Sequence, residues 1–284
     1  MEAAPAAPRR GARPFHPVPY EDISYEARNG IARITIQREA RLNAFRGKTV
    51  EEMTDAFYRA WDDATVGVVV LRGAGSRAFC TGGDQKERQE TGGYAFRRGG
   101  ILALHEVIRG IPKPVIAAVN GYAIGGGNVL QVLCDLAIAA DTAVFGQVGP
   151  RVGSVDPGHG TAYLARLVGE RKAREIWYLC RRYSAPEALA MGLINAVVPA
   201  AELDAEVERW CQEILDKSPG ALRIAKASFK AETDHISGNA ELGHAALERY
   251  LESEEAREGV EAFVGKRPPD FRRFRREKPG GRPA

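Results

Sequence analysis

Val119-Asn120-Gly121-Tyr122-Ala123-Ile124-Gly125-Gly126-Gly127-Asn128-Val129-Leu130 decides how this chain is read. Ahead of it, Pro114 to Val119 is a short apolar segment that reads as a buried strand. Beyond it, Val129, Leu130, Val132 and Leu133 continue an apolar run of helical length to Asp135. Three glycines therefore stand where strand gives way to helix. Backbone without Cβ atoms turns sharply and approaches a ligand closely. The first N–H groups of a helix lack internal partners and lie at the positive end of its dipole. Such a turn aims a backbone donor at developing negative charge. Taken alone, the stretch serves equally well as a tight turn with close strand–helix packing.

A second stretch repeats the pattern. Val68 to Leu71 reads as a buried strand, Gly73 to Ser76 as a turn, and Ala78-Phe79-Cys80-Thr81-Gly82-Gly83-Asp84-Gln85 again runs into glycines. Two such elements supply two N–H donors to one oxyanion, as the enolate of a thioester requires.

The rest of the chain fits an α/β class. Ile23 to Glu26 and Ile31 to Ile36 form a hairpin across Asn29-Gly30. Thr49 to Ala64 carries Val50, Met53, Ala56, Phe57 and Ala60 at helical spacing, with Thr49 as N-cap. Residues 86–100 read as a long polar loop of the kind that covers sites. Ile101 to Ile111 is a helix, and Leu136 to Ala139 and Ala143 to Phe145 are short strands. Gly160 to Val168, Lys172 to Tyr178 and Ala185 to Met191 are short helices. Leu203 to Lys217, Gly220 to Ala231 and Ala240 to Val264 are longer amphipathic ones. Strand–helix alternation followed by helices alone argues for β-α-β units, with a boundary near residue 200. The division is a disordered arm over 1–19, a core over 20–200, a helical region over 201–271 and a basic tail over 272–284. The tail reads as solvated, or as a contact for a phosphate-bearing ligand or RNA.

Composition bounds the function. The 284 residues are 44% hydrophobic and 27% charged, with a net charge of +3. One domain with a sizeable core is expected, and no polyanionic partner such as nucleic acid. Cys80, Cys134, Cys180 and Cys211 show no CxxC pair and read as free thiols of a cytoplasmic protein. The histidines lack ligand spacing, so no metal is expected. No apolar run is long enough to span a membrane, and the first residues lack the apolar core of a signal peptide.

In combination, several segments resemble the crotonase (enoyl-CoA hydratase/isomerase) superfamily from Tyr20 to Phe274. They are Asn43-Ala44-Phe45-Arg46, Phe79 to Gln85, Ile124 to Gly127, Phe145-Gly146-Gln147-Val148-Gly149-Pro150, Gly153-Ser154-Val155-Asp156 and Lys172 to Trp177. Within it the chain is most similar to 2-ketocyclohexanecarboxyl-CoA hydrolases and 1,4-dihydroxy-2-naphthoyl-CoA synthases. The resemblance implies a β-β-α superhelix with a C-terminal helical trimerisation region, and a hexamer built as a dimer of trimers. It implies an acyl-CoA thioester substrate, with CoA as part of the substrate and no tightly bound cofactor. Gly83 and Gly126 would form the oxyanion hole. Asp84, Gln85, Lys86 and Lys266 match CoA-holding positions, and Lys86, Arg88 and Tyr94 match the synthase substrate loop.

The two glutamates of the family's hydratases fall here on Val129 and Gly149, so double-bond hydration is not expected. Synthases with glycine at the Gly149 position use a bound bicarbonate, which makes Gly149 an anion seat or simply a turn glycine. Ser154 and Asp156 match the family's Gly-Ser-Phe-Asp segment, and such a pair can take and return a proton. The synthases' C-terminal tyrosine falls on Leu251, and Tyr250, which stands one residue early and about 100° round a helix, is carried over as the matching catalytic residue. His159, where relatives have an aromatic residue, is either packed or a general base three residues after Asp156. Pro157 follows Asp156 as in the hydrolases. The expected reaction is hydrolytic opening of 2-ketocyclohexane-1-carboxyl-CoA to pimeloyl-CoA. Ring closure to a naphthoyl-CoA in menaquinone synthesis, and a non-catalytic RNA-binding member of the fold, are the alternatives.

Overall fold

In the computed structural model, which describes residues 19–91 and 100–275, the chain enters through strands β1 (Ile23–Arg28) and β2 (Ile31–Ile36). Residues 1–18 of the expected arm over 1–19, Tyr94, and residues 276–284 of the expected tail over 272–284 lie outside the described residues. Asn29 and Gly30 both hold positive φ, 53° and 82°. That is the backbone of a two-residue hairpin turn, and it pairs Arg28 with Ile31. Helix α1 (Gly47–Asp62) buries Val50, Met53, Ala56, Phe57 and Ala60. It starts two residues earlier than expected, and Thr49 is not its N-cap. The Thr49 hydroxyl instead accepts from the Arg46 N–H at 3.1 Å and donates to Asp22 at 2.5 Å.

Three β-β-α turns follow. The first is β3 (Val68–Gly73), β4 (Ala78–Cys80), α2 (Gln85–Thr91) and α3 (Gly100–Gly110). Helix α2 occupies the start of the stretch expected to be loop. The second turn is β5 (Val115–Val119), β6 (Tyr122–Ile124) and α4 (Gly126–Leu133). The strand expected to feed the glycines is thus two strands: the chain leaves β5 at Asn120-Gly121, and β6 delivers the glycines. The third is β7 (Leu136–Ala140) and β8 (Val144–Gly146), then a 3-10 turn (Gly149–Val152), a π turn (His159–Tyr163), α5 (Leu164–Val168) and α6 (Glu170–Leu179). Short strands β9 (Arg182–Ser184) and β10 (Ala196–Val198), which period alone did not reveal, bracket α7 (Ala185–Ala190). Helices α8 (Leu203–Leu215), α9 (Pro219–Thr233), α10 (His235–Leu251) and α11 (Glu254–Val264) close the chain. The last two replace one expected helix. Ser253 breaks it by accepting from the Ala256 N–H as a cap of α11.

Each turn gives one strand to each of two sheets. Among the described residues their orders are β1-β2-β3-β5-β7-β10 and β4-β6-β8-β9. Odd positions of β3 and β5 (Val69, Leu71, Val115, Ala117, Val119) face the main core. Even ones (Val68, Val70, Ile116, Ala118) pack with Leu203, Val207 and Cys211 of α8 on the other face. Asn43, fully buried, donates to the carbonyls of Ala74 and Ala78, and Asn120 donates to those of Gly73 and Gly75. Two amides therefore satisfy the carbonyls where β3 crosses to β4. Strands β4, β6 and β8 are parallel neighbours. Their C-terminal ends release three loops side by side, and the pocket described next forms there. Among the described residues no helix is long and apolar enough to cross a membrane.

Candidate active site

Gly82-Gly83 follows β4, and Gly125-Gly126 follows β6. Gly82 (φ 84°) and Gly125 (φ 57°) hold backbone that side chains disfavour. Their closeness forbids side chains as well. A Cβ on Gly82 would lie 2.8 Å from the Gly126 nitrogen, and one on Gly126 would lie 2.7 Å from Phe45 Cζ. Phe45 N–H donates to the Gly82 carbonyl, and Asp84 N–H donates to the Phe45 carbonyl. This pairing turns the intervening Gly83 N–H the other way along the strand, toward the pocket. Gly126 is the first residue of α4. Among the described residues neither the Gly83 nor the Gly126 N–H has an acceptor. Both glycines line one pocket of about 500 Å³, with Phe45, Gln147, Ser154, Asp156 and Trp177. The structure thus brings together the two expected oxyanion donors. Cys80, two residues before Gly82, is no nucleophile: burial pushes its thiol up to about 12.

The third loop supplies the acid–base groups. Ser154 N–H donates to the Gly149 carbonyl at 2.8 Å, closing the turn that presents Ser154 and Asp156. The Asp156 carboxyl, open to the lumen but surrounded by protein, accepts from the Gly160 N–H at 2.9 Å. Burial raises it to about 6, against the opposing pull of His244 and of that N–H. Gly149 also lines the pocket. A Cβ there would meet the Ser154 carbonyl oxygen at 2.5 Å and Trp177 at 2.8 Å.

Other expected site residues stand elsewhere. His159 is fully buried behind the pocket wall, 3.4 Å from Arg109 and edge-on to His105. Burial, then the Arg109 charge, holds it down to about 4. It is a packed, neutral imidazole and does not line the pocket. Tyr250 turns away and donates to Glu255 at 3.3 Å, while Leu251 is the residue that reaches the lumen. Arg88 is 3% exposed and donates to the carbonyls of Val152 and Gly153. It ties α2 to the loop that carries Ser154 rather than facing substrate. Asp84 caps α2 through the Lys86 N–H and pairs with Arg38 at 3.0 Å. Gln85 lines the pocket. Lys86 and Lys266 are exposed outside it.

Four lining groups escaped the sequence reading as site residues. Phe45, Gln147 and Trp177 stand within quoted motifs, but nothing in their spacing assigns a role. His244, with Leu247, Glu248 and Leu251, forms the face of α10 that closes the pocket. Its i, i+3, i+4, i+7 spacing is the one available signal.

The enoyl-CoA hydratase/isomerase family model matches residues 26–274. The chain belongs to this family, the crotonases, which process acyl-CoA thioesters. Solved structures agree. An enoyl-CoA hydratase from Mycobacterium avium subsp. paratuberculosis is 31% identical over 89% of this chain and 99% of its own, with a TM-score of 0.78. A carnitinyl-CoA hydratase from Mycobacterium avium is 31% identical over 89% and 98%, with a TM-score of 0.79. A methylmalonyl-CoA decarboxylase in complex with 2-nitronate-propionyl-CoA is 26% identical over 89% and 98%, with a TM-score of 0.78.

Proposed function

We propose that this protein hydrolyses a cyclic β-keto acyl-CoA, opening 2-ketocyclohexane-1-carboxyl-CoA to pimeloyl-CoA. The observation that supports it best is Asp156, a carboxylate raised to about 6 in the pocket that also holds Gly83 and Gly126. The positions of the hydratase glutamates hold Val129, fully buried, and Gly149. The pocket is therefore equipped for an enolate and one proton carrier.

The steps balance without an added reagent. Water attacks the ring ketone and gives its proton to Asp156, while the Ser154 hydroxyl donates to the ketone oxygen. The bond between that carbon and the α-carbon breaks, and its electron pair passes into the thioester as an enolate. The Gly83 and Gly126 N–H groups hold the enolate oxygen. Asp156 returns the proton to the α-carbon, leaving a carboxylic acid at the opened end. A synthase must keep water from its carbanion, whereas this reaction consumes water. Leu251, apolar where the synthases carry a tyrosine, also disfavours ring closure here.

In this reading a bicarbonate sits beside Asp156. Gln147 is 1% exposed with both amide atoms unpartnered, which supports an anion there, whereas the position of a Cβ on Gly149 is already filled by the Ser154 carbonyl oxygen and Trp177. Gln147 would hold the anion, which when bound would supply a second oxygen base. The expected products of a CoA-ester assay are pimeloyl-CoA from the keto ester and little or no naphthoyl-CoA from o-succinylbenzoyl-CoA. In degassed buffer, added bicarbonate is expected to raise the rate. Efficient cyclisation with the keto ester untouched would replace this reading by the synthase, and an unchanged rate would remove the anion.

The assembly in this reading is a hexamer built as a dimer of trimers. Ile224 and Phe229 on α9 and Leu242 on α10 are 68%, 79% and 75% exposed, which suits helices that pack between copies. Light scattering is expected to give six chains, and a monomer mass would remove the assembly.

A further inference from the structure

We propose that His244 holds the attacking water: its Nε2 and the Asp156 carboxylate accept the water's two hydrogens, leaving an oxygen lone pair free for the ring ketone. This rests on the ring-opening reading above.

Helix α10 is seated on the segment that follows Asp156 with no room for a methyl group. A Cβ on Gly243 would lie 2.4 Å from Pro157 Cβ, and one on Gly158 would lie 2.6 Å from Ala240 Cα. His244 follows Gly243, and Asp156 precedes Pro157. The close contact therefore brings the two side chains to one wall, and both line the pocket. His244 Nδ1 lies 3.0 Å from the Ala240 carbonyl. A carbonyl only accepts, so Nδ1 carries the hydrogen, and in the neutral ring the lone pair is on Nε2.

The surroundings agree with an acceptor there. The His244 ring and the Asp156 carboxyl lie within electrostatic reach of each other, and it is the neutral ring that accepts from the water. His105 on α3 and His159 on the π turn also lie within reach of His244, and burial keeps both from protonating readily. Arg109 lies beyond them, bonded to Glu106, Thr233 and Ser237. Glu248 and Glu252, farther along α10, are exposed at the rim. On this face the resembling synthases carry a tyrosine hydroxyl at the position of Leu251. Here the polar group stands two turns earlier, at His244. It would give a positioned water in place of a donor.

The test separates water handling from enolate handling. His244→Met removes the acceptor while filling similar space. Ring opening of the keto ester is expected to fall on the order of 10²-fold in kcat, the scale of a misplaced reactant or lost acid–base contact, with KM within about threefold. His244→Gln, whose amide oxygen accepts, is expected to recover part of that loss. Exchange of the α-hydrogens of pimeloyl-CoA with deuterium needs the enolate and Asp156 but no attacking water. Mass spectrometry is expected to show that exchange kept in His244→Met and lost in Asp156→Asn. Ring opening within about threefold of wild type in His244→Met, or exchange lost in step with it, would overturn the role of His244 alone. A wild type that exchanges α-hydrogens yet leaves the ring closed would overturn the ring-opening reading, and the water role with it.

Discussion

Asp156→Asn is expected to lower kcat for ring opening on the order of 10³-fold, inside the range for loss of a positioned acid–base group, while thioester binding stays within about threefold. The substitution is nearly isosteric. The Asn oxygen can still accept from the Gly160 N–H that now bonds Asp156 Oδ1 at 2.9 Å. What it loses is the capacity to take a proton from water and return it to carbon. The same residue sets a pH dependence. Burial raises Asp156 to about 6, so the ionised form is half populated there. The reaction needs the carboxylate. The rate is therefore expected to be at its plateau above that pH and to fall as pH drops through about 6. A direct titration of kcat/KM against pH, set beside CoA-ester binding of the variant, checks both. Binding that falls together with turnover would make Asp156 a structural residue, and a rate flat from pH 5 to 7 would remove it as the base.

The parts of this molecule that could be read from sequence are those fixed by local chemistry. The Asn29-Gly30 turn, the apolar face of α1 and the glycines after β4 and β6 each follow from a few neighbouring residues. The pairing of Gly83 with Gly126 was legible because two similar strand–glycine stretches invite one ligand. The π-turn histidine was not. Its distance of three residues from Asp156 suggested a base, but tertiary packing against Arg109 and His105 decides where the ring goes. Arg88, read as a substrate-loop residue, and Asp84, read as a CoA-holding one, are likewise placed by tertiary partners. Each carries a charge whose partners, Val152 and Gly153 carbonyls for one and Arg38 for the other, are far away in sequence. Tyr250, carried over as a catalytic residue, fails by one helical step of about 100°: Leu251, and not Tyr250, reaches the lumen. His244 stayed hidden because the seating of α10 on Pro157 and Gly158 depends on two small residues, Ala240 and Gly243, that carry no motif.

In a Phe45→Leu background, Gly126→Pro is expected to turn over on the order of 10²-fold or more slowly than Gly126→Ala, the scale for one lost oxyanion donor. The background is needed because any Cβ at position 126 would lie 2.7 Å from Phe45 Cζ, so a single substitution would mix steric damage with the loss of the N–H. Shortening Phe45 relieves both variants alike. Alanine keeps the N–H, and proline removes it. The helix itself should tolerate proline, because Gly126 is the first residue of α4 and its N–H has no intrahelical partner there. The preceding Gly125 already sits at φ 57°, outside the helical backbone that a following proline would disfavour. Any difference between the two variants is then assigned to a donor aimed at the thioester oxygen, provided circular dichroism shows both folded. The deuterium exchange of pimeloyl-CoA should fall by the same factor as ring opening, since both pass through the enolate. Equal turnover of the alanine and proline variants would mean that the Gly126 N–H does not meet the developing charge, and the oxyanion hole would have to be sought at Gly83 alone.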